Sequence, residues 1–379
     1  MGETIIAKNG GGKNRNGEID LLRFVFAITI LLFHFGKMLP TNFAGNGNIA
    51  VGFYCIVAGA FMAKHAKKVL AGGKPASIGD STWKYIIHRT RSFYAYYIVA
   101  FILSAIFYQM MSEKMNFISL VKNLTKSIPT LSLTFLGLNN NLRSLYVPNT
   151  WYLSALLISS FVLFPFLLYK YDTSTKIIFP VFSMLILGYV YANNKTIILA
   201  WEKWGGFLYN GVLLSVAEIA LGASLFSFIE WIQKREKENS KALKLLFTII
   251  KWASFLIVFI FSFSPQIKRD YSIHALLYCC IGVVLSLSDI SYNIPATKMT
   301  SYLGKCALPI YMFHGFVRYI IQRKSTEGQL TLTPAFFIAS AVTTIVASIV
   351  LMHLTDLVVR LIKTRKHSST SVSDDAMEK

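Results

Sequence analysis

Long apolar runs recur along the whole chain, separated by short polar or charged segments. Ten of these runs are long enough to cross the ~30 Å hydrocarbon core of a bilayer as helices. Because lipid offers no hydrogen-bond partners, the backbone of a span must satisfy itself, which a helix does. The pattern predicts an all-α fold, a polytopic transmembrane helical bundle of about ten spans at residues 19–38, 47–64, 93–111, 150–169, 176–193, 210–230, 245–264, 271–290, 304–322 and 334–361.

The composition agrees with this class of protein. Of the 379 residues, 54% are hydrophobic and 15% are charged, and the mean hydropathy is +0.51. The four cysteines lie in or beside apolar runs and show neither a CxxC pair nor a Cys/His ligand spacing. We therefore expect no metal site and no disulfide framework. These cysteines are Cys55, Cys279, Cys280 and Cys306.

The net charge of +20 has two interpretations: a nucleic-acid surface, or basic residues retained in cytoplasmic loops during insertion. The second is favoured because no basic domain exists outside the spans, so we expect membrane lipids and no nucleic acid as partners. If the chain starts inside, the cytoplasmic segments hold about twice as many Lys and Arg residues as the outer loops, which predicts that both termini are cytoplasmic. The predicted parts are a disordered N-terminus (1–17), a transmembrane domain (18–363) and a disordered tail (364–379).

The first span carries three ionisable residues, Asp20, Arg23 and His34. An Arg or Asp at the centre of a span costs about 2.5–3.5 kcal/mol, so such residues indicate function by default. His34 follows Arg23 by eleven residues, or about 16 Å of helix, and both project from nearly the same face. In the structural alternative, Arg23 reaches the interface and pairs with Asp20, while His34 is a packing residue.

Two further groups of polar residues have both a structural and a functional interpretation. The cytoplasmic stretch before the third span is either a basic anchor with an aromatic belt or a clamp for phosphates, which Arg binds in a bidentate manner. Its members are Lys84, His88, Arg89 and Arg91. Glu218 in the sixth span must face the bundle interior. There it either pairs with another residue to hold the helices together or supports a functional site, and the sequence favours neither role.

The first span resembles the opening signature of the acyltransferase-3 family of integral-membrane O-acyltransferases, an Arg and a His separated by ten residues. Softer similarities follow. Arg91 matches the second Arg of the family's Arg-rich motif, and Trp151 begins a string similar to its Trp-Phe-Leu motif. The ninth span resembles the late motif of Leu-Gly followed by Pro-x-Tyr and a His, here with Tyr311 and His314. Without a fused extracellular domain, the chain resembles the stand-alone type that modifies surface polysaccharides.

The resemblance implies transfer of an acyl group, most often acetyl, to a hydroxyl of a surface or lipid-linked glycan. It implies acetyl-CoA or another acyl-CoA as the cytoplasmic donor, and the plasma (inner) membrane of a bacterium as the location. It also implies that Arg91 helps to hold the phosphates of the donor.

We hypothesise that His34 is the catalytic residue, as the base for the acceptor hydroxyl or as a carrier of the acyl group. Arg23 would align the donor along the shared stripe of the first span, and Asp20 would hold Arg23. Trp151 and Tyr311 would shape the reaction chamber. Pro309 can bend the ninth helix, so that Tyr311 and His314 point from the bend.

Two other functions are consistent with the charged residues inside the predicted spans. A transporter or flippase for a lipid-linked glycan would use them as a substrate path, although the inverted repeats and paired broken helices typical of transporters are not evident. A non-catalytic scaffold would use them only to fix helix packing.

Overall fold

The structure of the protein is a computed structural model. It describes residues 15–36, 44–110, 117–118, 121–122, 125, 151–198, 203–204, 208–235, 240–264, 266–326 and 333–377. Residues 1–14 of the predicted N-terminal segment lie outside these ranges, as do the last two residues of the predicted tail.

The described residues form a helical bundle, which confirms the predicted fold class. Each of the ten predicted spans coincides with one long helix. Among the described residues, eight helical stretches are long and apolar enough to cross a membrane, and two of them, Tyr171–Asn194 and Arg269–Leu287, are so only together with the turn that precedes the long helix. The helices are α1 (Gly17–Gly36), α2 (Ile49–Ala71), α3 (Ile78–Met110), α4 (Trp151–Tyr169), α5 (Phe179–Asn194), α6 (Asn210–Arg235), α7 (Lys241–Phe263), α8 (Ser272–Leu287), α9 (Lys298–Thr326) and α10 (Pro334–Met377).

Short irregular elements join some of these helices. A helical turn, Tyr171–Thr173, and a π-helical turn, Ser174–Ile178, lead into α5. Before α6, the two-residue strands β1 (Lys203–Trp204) and β2 (Leu208–Tyr209) pair in antiparallel fashion. These connections leave the bundle itself entirely helical.

Helices α2 and α6 approach each other through glycines at the centre of the bundle. A Cβ atom on Gly222 would lie 2.7 Å from the carbonyl carbon of Ile56, and one on Gly59 would lie 2.8 Å from the carbonyl carbon of Ile219. Small residues allow such backbone-to-backbone packing in membranes, where van der Waals contact replaces the hydrophobic driving force between helices. Gly59 and Gly222 are therefore points of close approach between the two helices.

Helix α9 runs alongside α1 in the same direction. Near the start of both helices, a Cβ on Gly304 would lie 2.6 Å from a carboxylate oxygen of Asp20. Towards their other ends, the side chains of His34 and His314 are in contact. This pairing sets the register of the two helices that carry Arg23, His34, Tyr311 and His314.

The start of α1 is held by a buried ion pair. The Glu18 carboxylate and the Lys251 ammonium of α7 are 2.8 Å apart, and both side chains are fully buried. Lys251 also donates to the carbonyl of Tyr292 (2.7 Å) and to Oδ1 of Asn293 (2.9 Å), and Glu18 accepts from the Ser286 hydroxyl (2.5 Å). The pair therefore joins α1, α7, α8 and the α8–α9 connection at one point.

Helix α10 packs at the edge of the bundle, mainly against α9, and leaves many apolar side chains on the outside. Tyr96 of α3 donates to Asp356 (2.7 Å), and Tyr302 of α9 is 3.0 Å from Nε2 of His353. The helix continues to Met377, through most of the tail for which the polar composition predicts disorder. The division into terminal segments and a transmembrane domain stays a prediction.

We predict that Gly222→Ala lowers the free energy of unfolding by about 1–3 kcal/mol, because the added methyl group would overlap the Ile56 backbone. The thermal midpoint of the detergent-solubilised protein measures the effect. Gly188→Ala in α5 is the matched control, since a Cβ there meets no atom within 4 Å. Equal midpoints for the two variants would contradict the packing described.

We predict that Glu18→Gln costs about 3–5 kcal/mol of stability, because it leaves the Lys251 ammonium buried without its counter-charge. The double variant Glu18→Gln/Lys251→Met removes both charges and should be more stable than Glu18→Gln alone. The thermal midpoints of the two detergent-solubilised variants measure which of them is more stable. A double variant less stable than the single variant would show that the charges are not coupled.

Candidate active site

A cavity opens between α1, α2, α3, α4 and α9. Its volume of about 140 Å³ is larger than a single structural water needs. Much of its wall is apolar, with Ile30, Val51 and Leu308 among the lining residues. Its polar lining includes two arginines and three tyrosines: Arg23, Arg89, Tyr54, Tyr152 and Tyr311.

The two arginines give the cavity a positive charge. Arg89 donates from Nε to the hydroxyl of Tyr85 (3.0 Å) and from a terminal nitrogen to the carbonyl of Ala58 (3.4 Å). Arg23 lies 3.9 Å from the Asp20 carboxylate, whereas Arg15 lies only 2.8 Å from it. Asp20 is thus paired more closely with Arg15, and the Arg23 guanidinium keeps donors for an anionic group in the cavity.

The tyrosines come from three different helices and form one continuous wall. Tyr54 of α2 donates a hydrogen bond to the backbone carbonyl of Arg23. Its ring lies 6.1 Å from that of Tyr152, which in turn lies 5.9 Å from that of Tyr311. The wall therefore extends from the residue that carries one cavity arginine to the middle of α9.

Two stacked histidines continue this wall. The ring of Tyr311 lies 5.8 Å from that of His314, and the rings of His314 and His34 are 5.0 Å apart at an angle of 26°. His314 is fully buried and His34 is 6% exposed. Nη1 of Arg318, one turn further along α9, lies 3.2 Å from Nδ1 of His34. An imidazole pair and a guanidinium are thus gathered inside the bundle, where acid–base or acyl-transfer chemistry is shielded from water.

The chain was compared with known proteins. The family model described as an acyltransferase domain, Acyl_transf_3, matches residues 16–353. The chain belongs to the acyltransferase-3 family. No curated protein and no solved structure matches it. The matched region contains the cavity, the tyrosine wall and the histidine pair, so this integral-membrane acyltransferase carries all of them within its family domain.

The acyltransferase brings together only part of the predicted donor clamp. Arg89 lines the cavity, whereas Lys84, His88 and Arg91 are exposed and are not among its lining residues. The reason is helical geometry: on α3, the Arg89 side chain points towards α2, where it reaches the carbonyl of Ala58, and Arg91 is rotated about 200° away from it. The resemblance had implied a donor contact for Arg91, which is not among the residues that line the cavity.

Only one of the two residues expected to shape a reaction chamber lines the cavity. Tyr311 lines the cavity. Trp151 instead packs beside Ala155 and Val212, and its neighbour Tyr152 lines the cavity. The aromatic string at the start of α4 thus contributes to the wall through its second residue.

Glu218 of α6 faces the interior, against α2. A Cβ on Gly52 would lie 3.1 Å from its carboxylate oxygen Oε1, so the glycine leaves room for the carboxylate. Cys55 lies beside it. No ion pair joins Glu218 to a cation in the described ranges. Its position indicates a role in the α2–α6 contact, and support of the site is a proposal only.

Sequence reasoning did not assign a role to Arg318 or Tyr152. The signal for Arg318 was present, since it is an ionisable residue within a span and lies one turn after His314. Tyr152 is the second residue of the string that resembles the Trp-Phe-Leu motif, which is the signal that could have identified it. Within the described parts of the chain, no group of three or more His, Cys, Asp or Glu side chains is arranged to hold a metal ion.

Proposed function

We propose that this acyltransferase moves an acyl group, most often acetyl, from cytoplasmic acyl-CoA to a hydroxyl of a surface or lipid-linked glycan. The observation that carries the proposal is the arrangement of the site. Two cationic side chains line a cavity, and an unbroken run of aromatic rings leads from it to a buried histidine pair.

The arginine end of the cavity suits the donor's phosphates. Guanidinium groups form charge-assisted, bidentate hydrogen bonds with phosphate, and Arg23 and Arg89 offer two of them. The exposed Lys84, His88 and Arg91 add positive charge at the same end of α3 and would raise the rate at which an anionic donor arrives. The excess of Lys and Arg in the predicted inner loops assigns this end to the cytoplasm.

The histidine end suits the chemistry. His34 lies about 16 Å along α1 from Arg23, so a donor anchored by its phosphates would extend its thioester arm along the tyrosine wall. The acyl end would approach the histidine pair past Tyr311. Removal of the proton from the acceptor and stabilisation of the charge that develops on the thioester oxygen are the two needs of the reaction.

The glycan acceptor would enter from the opposite, outer side of the bundle. We propose that the protein acts in the plasma (inner) membrane of a bacterium, with the donor on one side and a cell-envelope glycan on the other. The support is the family membership together with the distribution of charge along the loops.

We predict that the purified protein, reconstituted without any ion gradient, transfers the label of [³H]acetyl-CoA to a glycan acceptor or to water. His34→Ala should abolish this transfer while the protein still inserts and folds. His353→Ala in α10 is the matched control, because His353 contacts Tyr302 away from the cavity. Full activity in His34→Ala would overturn the proposal, and transport of a glycan without acyl transfer would favour a flippase.

We predict that Arg89→Ala weakens acetyl-CoA binding about 10- to 100-fold, as expected for a lost charge-assisted hydrogen bond of about 1.5–3 kcal/mol. Arg91→Ala, two residues away and exposed, should change the dissociation constant much less. Equilibrium binding of acetyl-CoA to the detergent-solubilised variants measures both. A larger effect at Arg91 would indicate that the phosphates lie outside the cavity.

A further inference from the structure

The protonation state of His314 is determined by its backbone contacts. Nδ1 lies 2.7 Å from the carbonyl oxygen of Tyr311 and 3.3 Å from that of Ile310. A carbonyl oxygen only accepts hydrogen bonds, so Nδ1 carries the proton and the neutral ring keeps its lone pair on Nε2. Nε2 is buried and has no hydrogen-bond partner among the described residues. An oriented imidazole with an unused lone pair is the arrangement of a general base.

His34 is held in the opposite tautomer. Its Nδ1 lies 3.2 Å from Nη1 of Arg318, and a guanidinium only donates hydrogen bonds. Nδ1 of His34 therefore accepts, which leaves the proton of the neutral ring on Nε2. The Arg318 guanidinium also has a buried Nε–H without a hydrogen-bond partner in the same described ranges. His34 and Arg318 together present donors, whereas His314 presents an acceptor.

We propose that the two histidines divide the reaction between them: His314 is the general base for the acceptor hydroxyl, and His34, held by Arg318, stabilises the oxyanion. This division rests on the proposed acyl transfer from acyl-CoA. It replaces the sequence-based hypothesis that His34 is itself the base or the acyl carrier, and it gives His314 and Arg318 roles in catalysis.

The step balances without any further reactant. The proton of the acceptor hydroxyl passes to Nε2 of His314 while the acceptor oxygen bonds to the thioester carbonyl carbon. The carbonyl π electrons move to oxygen, where Nε2–H of His34 and the Arg318 guanidinium stabilise the charge. Collapse of the intermediate re-forms the carbonyl and breaks the carbon–sulfur bond. The CoA thiolate then takes the proton from His314, which restores its neutral ring.

The test uses the full-length protein in proteoliposomes, with acetyl-CoA as donor and with water and a panel of soluble sugars as acceptors. Release of free CoA thiol is the readout. We expect His314→Ala to lower the rate about 10²- to 10⁴-fold, the usual contribution of a general base. Added imidazole should raise the rate of His314→Ala at least tenfold, because it supplies the missing base in the space left by the side chain.

Two matched variants separate catalysis from folding. His314→Asn keeps a donor for the Tyr311 carbonyl but has no basic nitrogen, so we expect it to bind acetyl-CoA and remain inactive. His34→Gln keeps an N–H donor, so it should retain more activity than His34→Ala. His353→Asn, outside the cavity, should react like the wild type.

Several results would overturn the assignment. Activity of His314→Asn above a tenth of the wild-type rate would do so, as would a loss in His314→Ala that imidazole does not restore. Rescue of His34→Ala by imidazole, without rescue of His314→Ala, would return the role of base to His34. A wild-type protein that releases no CoA would overturn both this assignment and the proposed function, whereas an active wild type with unaffected His314 variants overturns the assignment alone.

Discussion

The position of α1 depends on a fully buried ion pair between its second residue, Glu18, and Lys251 of α7. Two charges removed from water are tolerated only when every lone pair and proton finds a partner, and here hydroxyl, amide and carbonyl groups surround both. The contact fixes where α1 begins along its axis and how it is rotated. Because Arg23 and His34 both project from α1, this one contact determines what each of them meets.

Helix α9 supplies the complementary half of the site. Gly304 allows it to run against α1 near Asp20, and the shared direction of the two helices then brings His314 and Arg318 to the level of His34. The result is an acceptor nitrogen and a set of donors side by side in a low-dielectric interior. Such groups act more strongly there than in water, since no solvent screens them and their orientation is already set.

The sequence alone predicted the helices and the ionisable face of the first span, because both follow from local composition and helical spacing. It could not decide between Arg89 and Arg91, which are two residues apart: that choice depends on which face of α3 is turned towards the cavity. Nor could it pair Asp20 with Arg15 rather than Arg23, or join Arg318 to His34 across 284 positions. These pairings depend on tertiary register, which no local pattern encodes.

The glycine contact between α2 and α6 bears on how the protein moves. Where backbones touch, as at Gly59 and Gly222, two helices cannot slide or rotate without collision, so they behave as one rigid body. Helices α4 and α9 contribute Tyr152 and Tyr311 to the cavity wall, beside Tyr54 of α2. Any movement that changes access to the cavity would therefore carry α2 and α6 together, along with the part of the cavity wall that α2 contributes.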